Sequence, residues 1–275
     1  MPYSSLRMLL RPVRTASFFA GLIALAACST PDPARMSDGV WDPDEAANRR
    51  VHAFNKKLDR AVLAPAGKGY VTIVPAPVVH GVSNFSDNLS LPGTVVNNLL
   101  QLDLGGALTN TARFAFNTVV GVGGVFDPAG LIGLHEKDTD FGQTLAVWGA
   151  PEGSYLELPV LGPSTQRAAT GKVVDLVTNP LSYALPDPEK YYGTGASVLS
   201  KLGDRGNYGD ALDDLYYNSA DSYAAARSVY MQNRRFNVGA ADGGYDDPYA
   251  DPYGSSDNDP YIADQLDPYE ALSNE

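Results

Sequence analysis

The chain has 275 residues, with 20 Lys and Arg against 32 Asp and Glu, a formal net charge of −12 and one cysteine. This balance argues against a nucleic-acid-binding protein, which needs basic faces against phosphate, and a lone cysteine excludes an internal disulfide framework. The acidity is uneven: Asn237 to Glu275 carries ten acids and no Lys or Arg, so the body before it is only modestly acidic.

The N-terminus sets the compartment. Arg7, Arg11 and Arg14 precede an apolar run from Ala16 to Ala27 that ends in small residues before Cys28. That order is a secretory signal peptide over 1–27, too short to span a membrane. Leu25-Ala26-Ala27-Cys28 resembles the bacterial lipobox, in which cleavage leaves the cysteine first and its thiol carries a diacylglycerol. In lipoproteins of this kind, Ser29 permits delivery to the outer membrane. Residues 28–40 are polar and proline-bearing, and read as a tether between lipid and fold.

The domain spans 41–236. Asp42 and Pro43 fit an N-cap and first helical position. From Asn48 to Leu63, Val51, Phe54, Leu58 and Val62 share one helical face, with Arg49, Arg50, Lys56, Lys57 and Arg60 mostly elsewhere. Two readings stand for this helix: a bundle helix with a solvated basic side, or one resting on anionic headgroups. Pro65 to Pro77 reads as a proline-punctuated link. Three helices should follow, one through Val78, Val82, Phe85 and Leu89, one after the Ser90-Leu91-Pro92 break, and one from Leu104 to Val119.

Thr118 to Leu134 is apolar except for Asp127, but its glycines and Pro128 break it too often for a spanning helix of about 20 residues. Something apolar must cover it, whether protein or membrane. Trp148 to Pro163 is an apolar loop rich in glycine and proline, in which only Tyr155 to Val160 alternates like a strand. Asp127-Pro128 and Gly162-Pro163-Ser164 read as helix starts, and Gln143 to Trp148 and Arg167 to Thr178 can be helical. Pro186 to Phe236 offers three short helices divided by Gly193, Gly203 and Gly206, the last capped near Ser219 or Asp221. Beyond it, Asp-Pro-Tyr recurs through 237–275, a segment too acidic and proline-rich to bury a core and expected to be disordered.

No catalytic constellation is present in the sequence, and no cofactor or metal is expected. His52, His80 and His135 lack metal-ligand spacing. Glu136-x-Asp138-x-Asp140 misses the glycine and the bidentate glutamate of a calcium loop and reads as an acidic turn leading a helix. Gly121-x-Gly123-Gly124 follows a helix rather than a strand, which rules out a dinucleotide fingerprint.

Several segments nevertheless match a known family in order. Phe54-Asn55, Gly81-Val82-Ser83-Asn84-Phe85, Arg113-Phe114 with Asn117-Thr118, Gly121-x-Gly123-Gly124-x-Phe126-Asp127, Phe141-Gly142-Gln143-Thr144-Leu145, Trp148-Gly149, Leu158-Pro159-x-Leu161-Gly162-Pro163-Ser164 and Asp221-x-Tyr223 resemble the MlaA (VacJ) phospholipid-transport lipoproteins. The resemblance implies an all-α fold, a single ring-like helical domain with a central amphipathic channel and one apolar hairpin loop. It also implies a non-enzymatic role in the inner leaflet of the outer membrane, facing the periplasm beside a trimeric porin. There it would pass mislocalised glycerophospholipids to a periplasmic carrier and an inner-membrane ABC transporter. By the same analogy Phe54 and Asn55 lie beside the channel, and Trp148, Gly149, Gly153 and Pro159 belong to a mobile hairpin at its mouth. Arg167, Lys172 and Asp175 are candidates for polar channel lining, since a passing headgroup needs charge neutralisation. Forming ordinary surface pairs is the alternative for these three.

Overall fold

The computed structural model describes residues 36–37 and 39–242. Cys28, the signal peptide, most of the tether and the Asp-Pro-Tyr repeats lie outside the described residues. One compact unit ends at Arg235 and a second begins at Phe236.

The body is all-α, as expected. Strands 36–37 (β1) and 40–41 (β2) pair briefly, and the helices begin at Glu45, two residues after the expected start. Helix α1 (Glu45–Leu58) runs into a π-helical turn (Asp59–Leu63) and on into α2 (Ala64–Ile73) without a break. Pro65 was expected to open a link but sits inside this continuous rod. The π turn explains why, because Ala64 N–H already bonds back to Asp59 O, so the regular ladder is offset where proline lacks a donor. The chain breaks instead at Val74, which is extended ahead of Pro75, and the helix direction bends there by 119°.

Helix α3 (Ala76–Leu100) is one helix rather than the expected two, with Pro92 inside it. One missing N–H does not end a helix of 25 residues anchored by buried Asn88 and Leu91 before the proline and by Asn97 and Asn98 after it. Helix α4 (Leu104–Val119) matches the expected span, and Asp127 caps the short α5 (Pro128–Leu131) by accepting from Gly130 N. Helix α6 (Phe141–Val147) starts at Asp140, whose carboxylate accepts from Gln143 N.

One expectation holds and one fails at the next turn. Tyr155–Leu158 (β3) is paired, antiparallel to Gly162–Thr165 (β4), so the segment read as a helix start is a strand. The N-cap of α7 (Gln166–Thr178) is Thr165, which accepts from Ala168 N. After the short α8 (Leu181–Ala184), α9 (Tyr192–Asn207) runs straight through Gly193, Gly203 and Gly206.

The last of these glycines serves packing. A Cβ on Gly206 would stand 2.5 Å from Gly67 O, and one on Gly67 would stand 2.8 Å from Leu202 O. Helices α2 and α9 therefore cross backbone to backbone, an approach that only glycine permits. A short α10 (Gly209–Asp213) leads into a second π turn (Asp214–Asn218), and α11 (Ser222–Asp242) closes the described chain, six residues past the expected boundary at Phe236.

Candidate functional site

The hairpin 155–165 is held by side chains standing in for a strand. Asn48 Nδ2 donates to Tyr155 O (3.2 Å) while its Oδ1 accepts from Glu157 N (3.0 Å). Seven residues along the same helix, Asn55 Nδ2 donates to Leu158 O (2.9 Å) and Oδ1 accepts from Val160 N (2.8 Å). A primary amide presents one donor and one acceptor side by side, as strand backbone does, so Asn48 covers the outer edge of β3 and Asn55, two turns on, holds the strand's end and the tip beyond it. His52 lies between them, buried, with Nδ1 3.2 Å from Glu157 Oε1 and Nε2 3.1 Å from Ser222 Oγ. Tyr155, at the buried root of the hairpin, donates its hydroxyl to Glu157 Oε2 (2.5 Å).

The tip behaves differently. Pro159, Val160 and Leu161 are exposed, and Val160 has a φ of 68°, a left-handed conformation that a β-branched residue avoids. Asn55 holds that strained residue through its backbone N–H. Beneath the tip lies a cleft of about 130 Å³, lined by Asn55, Leu58, Leu63, Leu161 and Tyr216. Phe54 does not line it, and its ring is half exposed on the outer side of α1.

The segment leading into the hairpin is tied at several points. Trp148 Nε1 donates to Leu100 O (3.0 Å), and its ring meets Phe141 edge-on. Gly149 and Gly153 both have left-handed backbones, with φ of 84° and 75°. Arg167 donates Nη1 to Ala150 O (2.9 Å), while its buried Nε has no partner among the described residues, and burial depresses its pKa. Asp175 accepts from Asn97 Nδ2 (2.9 Å) and from Phe141 N (3.1 Å), joining α3 and α6 to α7. Lys172 is solvent-accessible, yet desolvation, and then Arg234, lower its ammonium pKa, the mark of a cation in a recess rather than on an open face. Of the three candidate lining residues, Arg167 and Asp175 tie elements together and Lys172 stays accessible.

The wider body inverts the usual order of a water-soluble domain. Among the described residues, 22 buried positions are polar or charged and 12 are hydrophobic. The buried polar groups are joined in networks. Asp59 takes both Arg205 Nε (2.7 Å) and Nη2 (2.8 Å), and Tyr217 donates its hydroxyl to the same carboxylate (2.8 Å). Asp42 holds Asn48, Tyr223 and Arg227. Asp140 pairs with Arg234 at 2.6 and 2.8 Å. Burial alone would raise the Asp140 carboxyl, but this guanidinium holds it below its ordinary range. The apolar stretch 118–134 is meanwhile left uncovered by protein: Val119, Val122, Phe126, Leu131 and Ile132 are all exposed, Leu131 at 89%. Leu102, Leu104 and Leu108 on the preceding segment join them.

Sequence reasoning passed over Asn48, Glu157, Tyr155 and the Asp42 cluster, since each pairs with partners more than a hundred residues away. Only the spacing of Asn48, His52 and Asn55 on one helix face hinted at an inward polar stripe.

Glu136 supports a direct test. Burial, then the Asp138 and Asp87 charges, push its carboxyl up from 4.5 to about 7, with Arg113 opposing and Asp127 adding. The folded state therefore binds this proton more tightly than the unfolded one, and its contribution is greatest below pH 4.5 and is lost as pH rises through about 7. Glu136→Gln should stabilise the protein by on the order of 1–2 kcal/mol at alkaline pH and leave it unchanged in acid. Thermal unfolding in detergent at both pH extremes checks this, and a gain that does not grow with pH would contradict it.

An all-helical body with a polar interior and long apolar surfaces left bare defines a protein built for an apolar surround as well as for water. The chain belongs to the MlaA lipoprotein family, whose profile matches residues 40–237. It is 32% identical over 244 residues to the Escherichia coli K12 intermembrane phospholipid transport system lipoprotein MlaA, covering 87% of this chain and 93% of that protein. A Rickettsia felis protein of undescribed role is 38% identical over 200 residues, 72% of this chain and 78% of its own length. A solved structure reported under the structural basis for maintenance of bacterial outer membrane lipid asymmetry superposes with a TM-score of 0.63 at 32% identity, covering 72% of this chain and 98% of that one.

Proposed function

We propose that this protein is the lipid-anchored outer-membrane component of a phospholipid transport system. It removes mislocalised glycerophospholipids from the outer leaflet and passes them through an amphipathic channel to a periplasmic carrier, which delivers them to an inner-membrane ABC transporter. It acts by transport rather than by catalysis, seated in the inner leaflet beside a trimeric porin. The observation that carries the reading is the inverted polarity of the body: exposed Leu102, Val119 and Leu131 suit lipid tails, and the buried polar networks suit a headgroup path. The hairpin, pinned at its root and strained at its tip, suits a movable element at the mouth of that path. A strain lacking the protein should accumulate phospholipid in the outer leaflet and lose it again on complementation. An unchanged leaflet composition would overturn the reading.

The anchor is Cys28, acylated as the mature N-terminus, because basic, apolar and small residues precede it in the order a lipoprotein signal requires. Mass spectrometry of membrane-extracted protein should show a diacylglyceryl-modified Cys28. A thiol-bearing cysteine or another starting residue would refute the anchor.

A further inference from the structure

The hairpin grip uses one side of α1, and the other side remains. Asn48, His52, Asn55 and Asp59 are turned inward, while Arg50, Phe54, Lys57 and Ala61 follow one another at intervals of four, three and four residues and are all exposed. That spacing puts them in one stripe along the outer surface.

The neighbouring cations are engaged. Arg49 bonds Glu45 and Asp221, Lys56 donates to Ser222 Oγ, and Arg60 lies over the Tyr217 ring. Arg50 and Lys57 have no ion pair or hydrogen bond among the described residues. They flank Phe54, which is 51% exposed, and Val62, in the π turn that follows, is also half exposed. A merely solvated basic face has no use for an outward phenyl ring, and a face packed on another helix would not hold two unpaired cations.

We infer that this stripe is a contact surface for anionic phospholipid headgroups. The Arg50 guanidinium and the Lys57 ammonium meet lipid phosphates, while Phe54 and Val62 reach the acyl boundary between them. Charge complementarity selects the occupant. The chain as a whole carries −12, so an anionic surface repels it generally and attracts it here, which fixes the side that faces the membrane. The inference rests on the proposal that the body is seated in lipid.

The test uses the full chain reconstituted in vesicles, with the environment-sensitive fluorophore NBD on Ala61→Cys, the parent chain as labelling blank, and acrylamide as neutral quencher. A second label on Leu131→Cys reports seating itself. Quenching at position 61 should fall about threefold when phosphatidylglycerol replaces roughly a third of the phosphatidylcholine. High salt or Arg50→Gln with Lys57→Gln should abolish the difference, and Arg50→Lys with Lys57→Arg should retain it. Equal quenching in both compositions, protection that survives the glutamine pair, or protection that depends on protein concentration, as a second copy would give, overturns the inference. If the Leu131→Cys label is protected in these cases, the seating proposal stands without it. If that label is open to quencher in both compositions, the seating proposal fails and takes the inference with it.

Discussion

Replacing Asp59 by alanine should destabilise the protein by about 2–4 kcal/mol, because it removes the main counter-charge of a guanidinium that the fold has taken out of water. Arg205 is almost fully buried, and both of its bonds to Asp59 would be lost, leaving only Asp213 (2.5 Å) and the Gly209 carbonyl. The Tyr217 hydroxyl would lose the same acceptor. The site joins distant pieces of chain, with Asp59 opening the first π turn, Tyr217 inside the second and Arg205 on the helix that crosses Gly67. For a body of this size the loss corresponds to a fall of roughly 10 °C in Tm. The double variant Asp59→Leu with Arg205→Met should recover most of it, since removing both charges also removes the desolvation cost. A single Asp59→Ala variant that melts with the parent would show that water reaches Arg205 in the folded state.

The second large effect is expected in the segment before the hairpin. Gly149 and Gly153 both hold left-handed backbone angles, which cost about 1–2 kcal/mol for a residue with a Cβ. Their surroundings differ. A Cβ on Gly149 meets nothing within 4 Å, but one on Gly153 would come within 2.7 Å of Gln166 Oε1 and 2.8 Å of Gln166 Cβ. Gly153→Ala should therefore be the costlier single change, because the side chain at the start of α7 must also move. The pair together should lower stability by about 2–4 kcal/mol and, if the hairpin moves as proposed, slow lipid passage, because the segment between Trp148 and the buried Tyr155 would lose backbone angles that glycine adopts freely. Lipid flux to the carrier in reconstituted membranes, measured below the melting temperature of the double variant, separates the two effects. Unchanged flux in a folded double variant would show that this segment does not gate the path.

The same glycines show why a sequence alone can mislead. Their turn chemistry was readable at Gly149 and Gly153, where the chain does bend. At Gly193, Gly203 and Gly206 identical chemistry suggested helix breaks, yet α9 passes through all three, with Gly206 closely packed on α2 and Gly203 on Val79 of α3. Pro65 and Pro92 misled in a related way. Each removes a hydrogen-bond donor, but the π turn at 59–63 and the anchored faces of α3 absorb the loss, and neither device can be read from a window of residues.

What the sequence determined by itself was local: the helical class, the existence of α1 and the span of α4, the helix starts at Asp127 and after the acidic turn ending at Asp140, the cap near Asp221, and the family motifs, because capping and periodicity depend only on residues within a turn or two of each other. Tertiary structure decided the rest. Periodicity located two faces on α1 but could not say which one turns inward, and the fold buries the face with Asn48, His52 and Asp59 while Phe54 and Val62 look out. That choice depends on partners such as Glu157 and Arg205, more than a hundred residues away, whose hydrogen bonds make burying polar groups favourable only once the chain has brought them together. The pairing of β3 with β4 and the asparagine grip on its edge were hidden for the same reason, since a strand is defined by what lies beside it and not by its own residues.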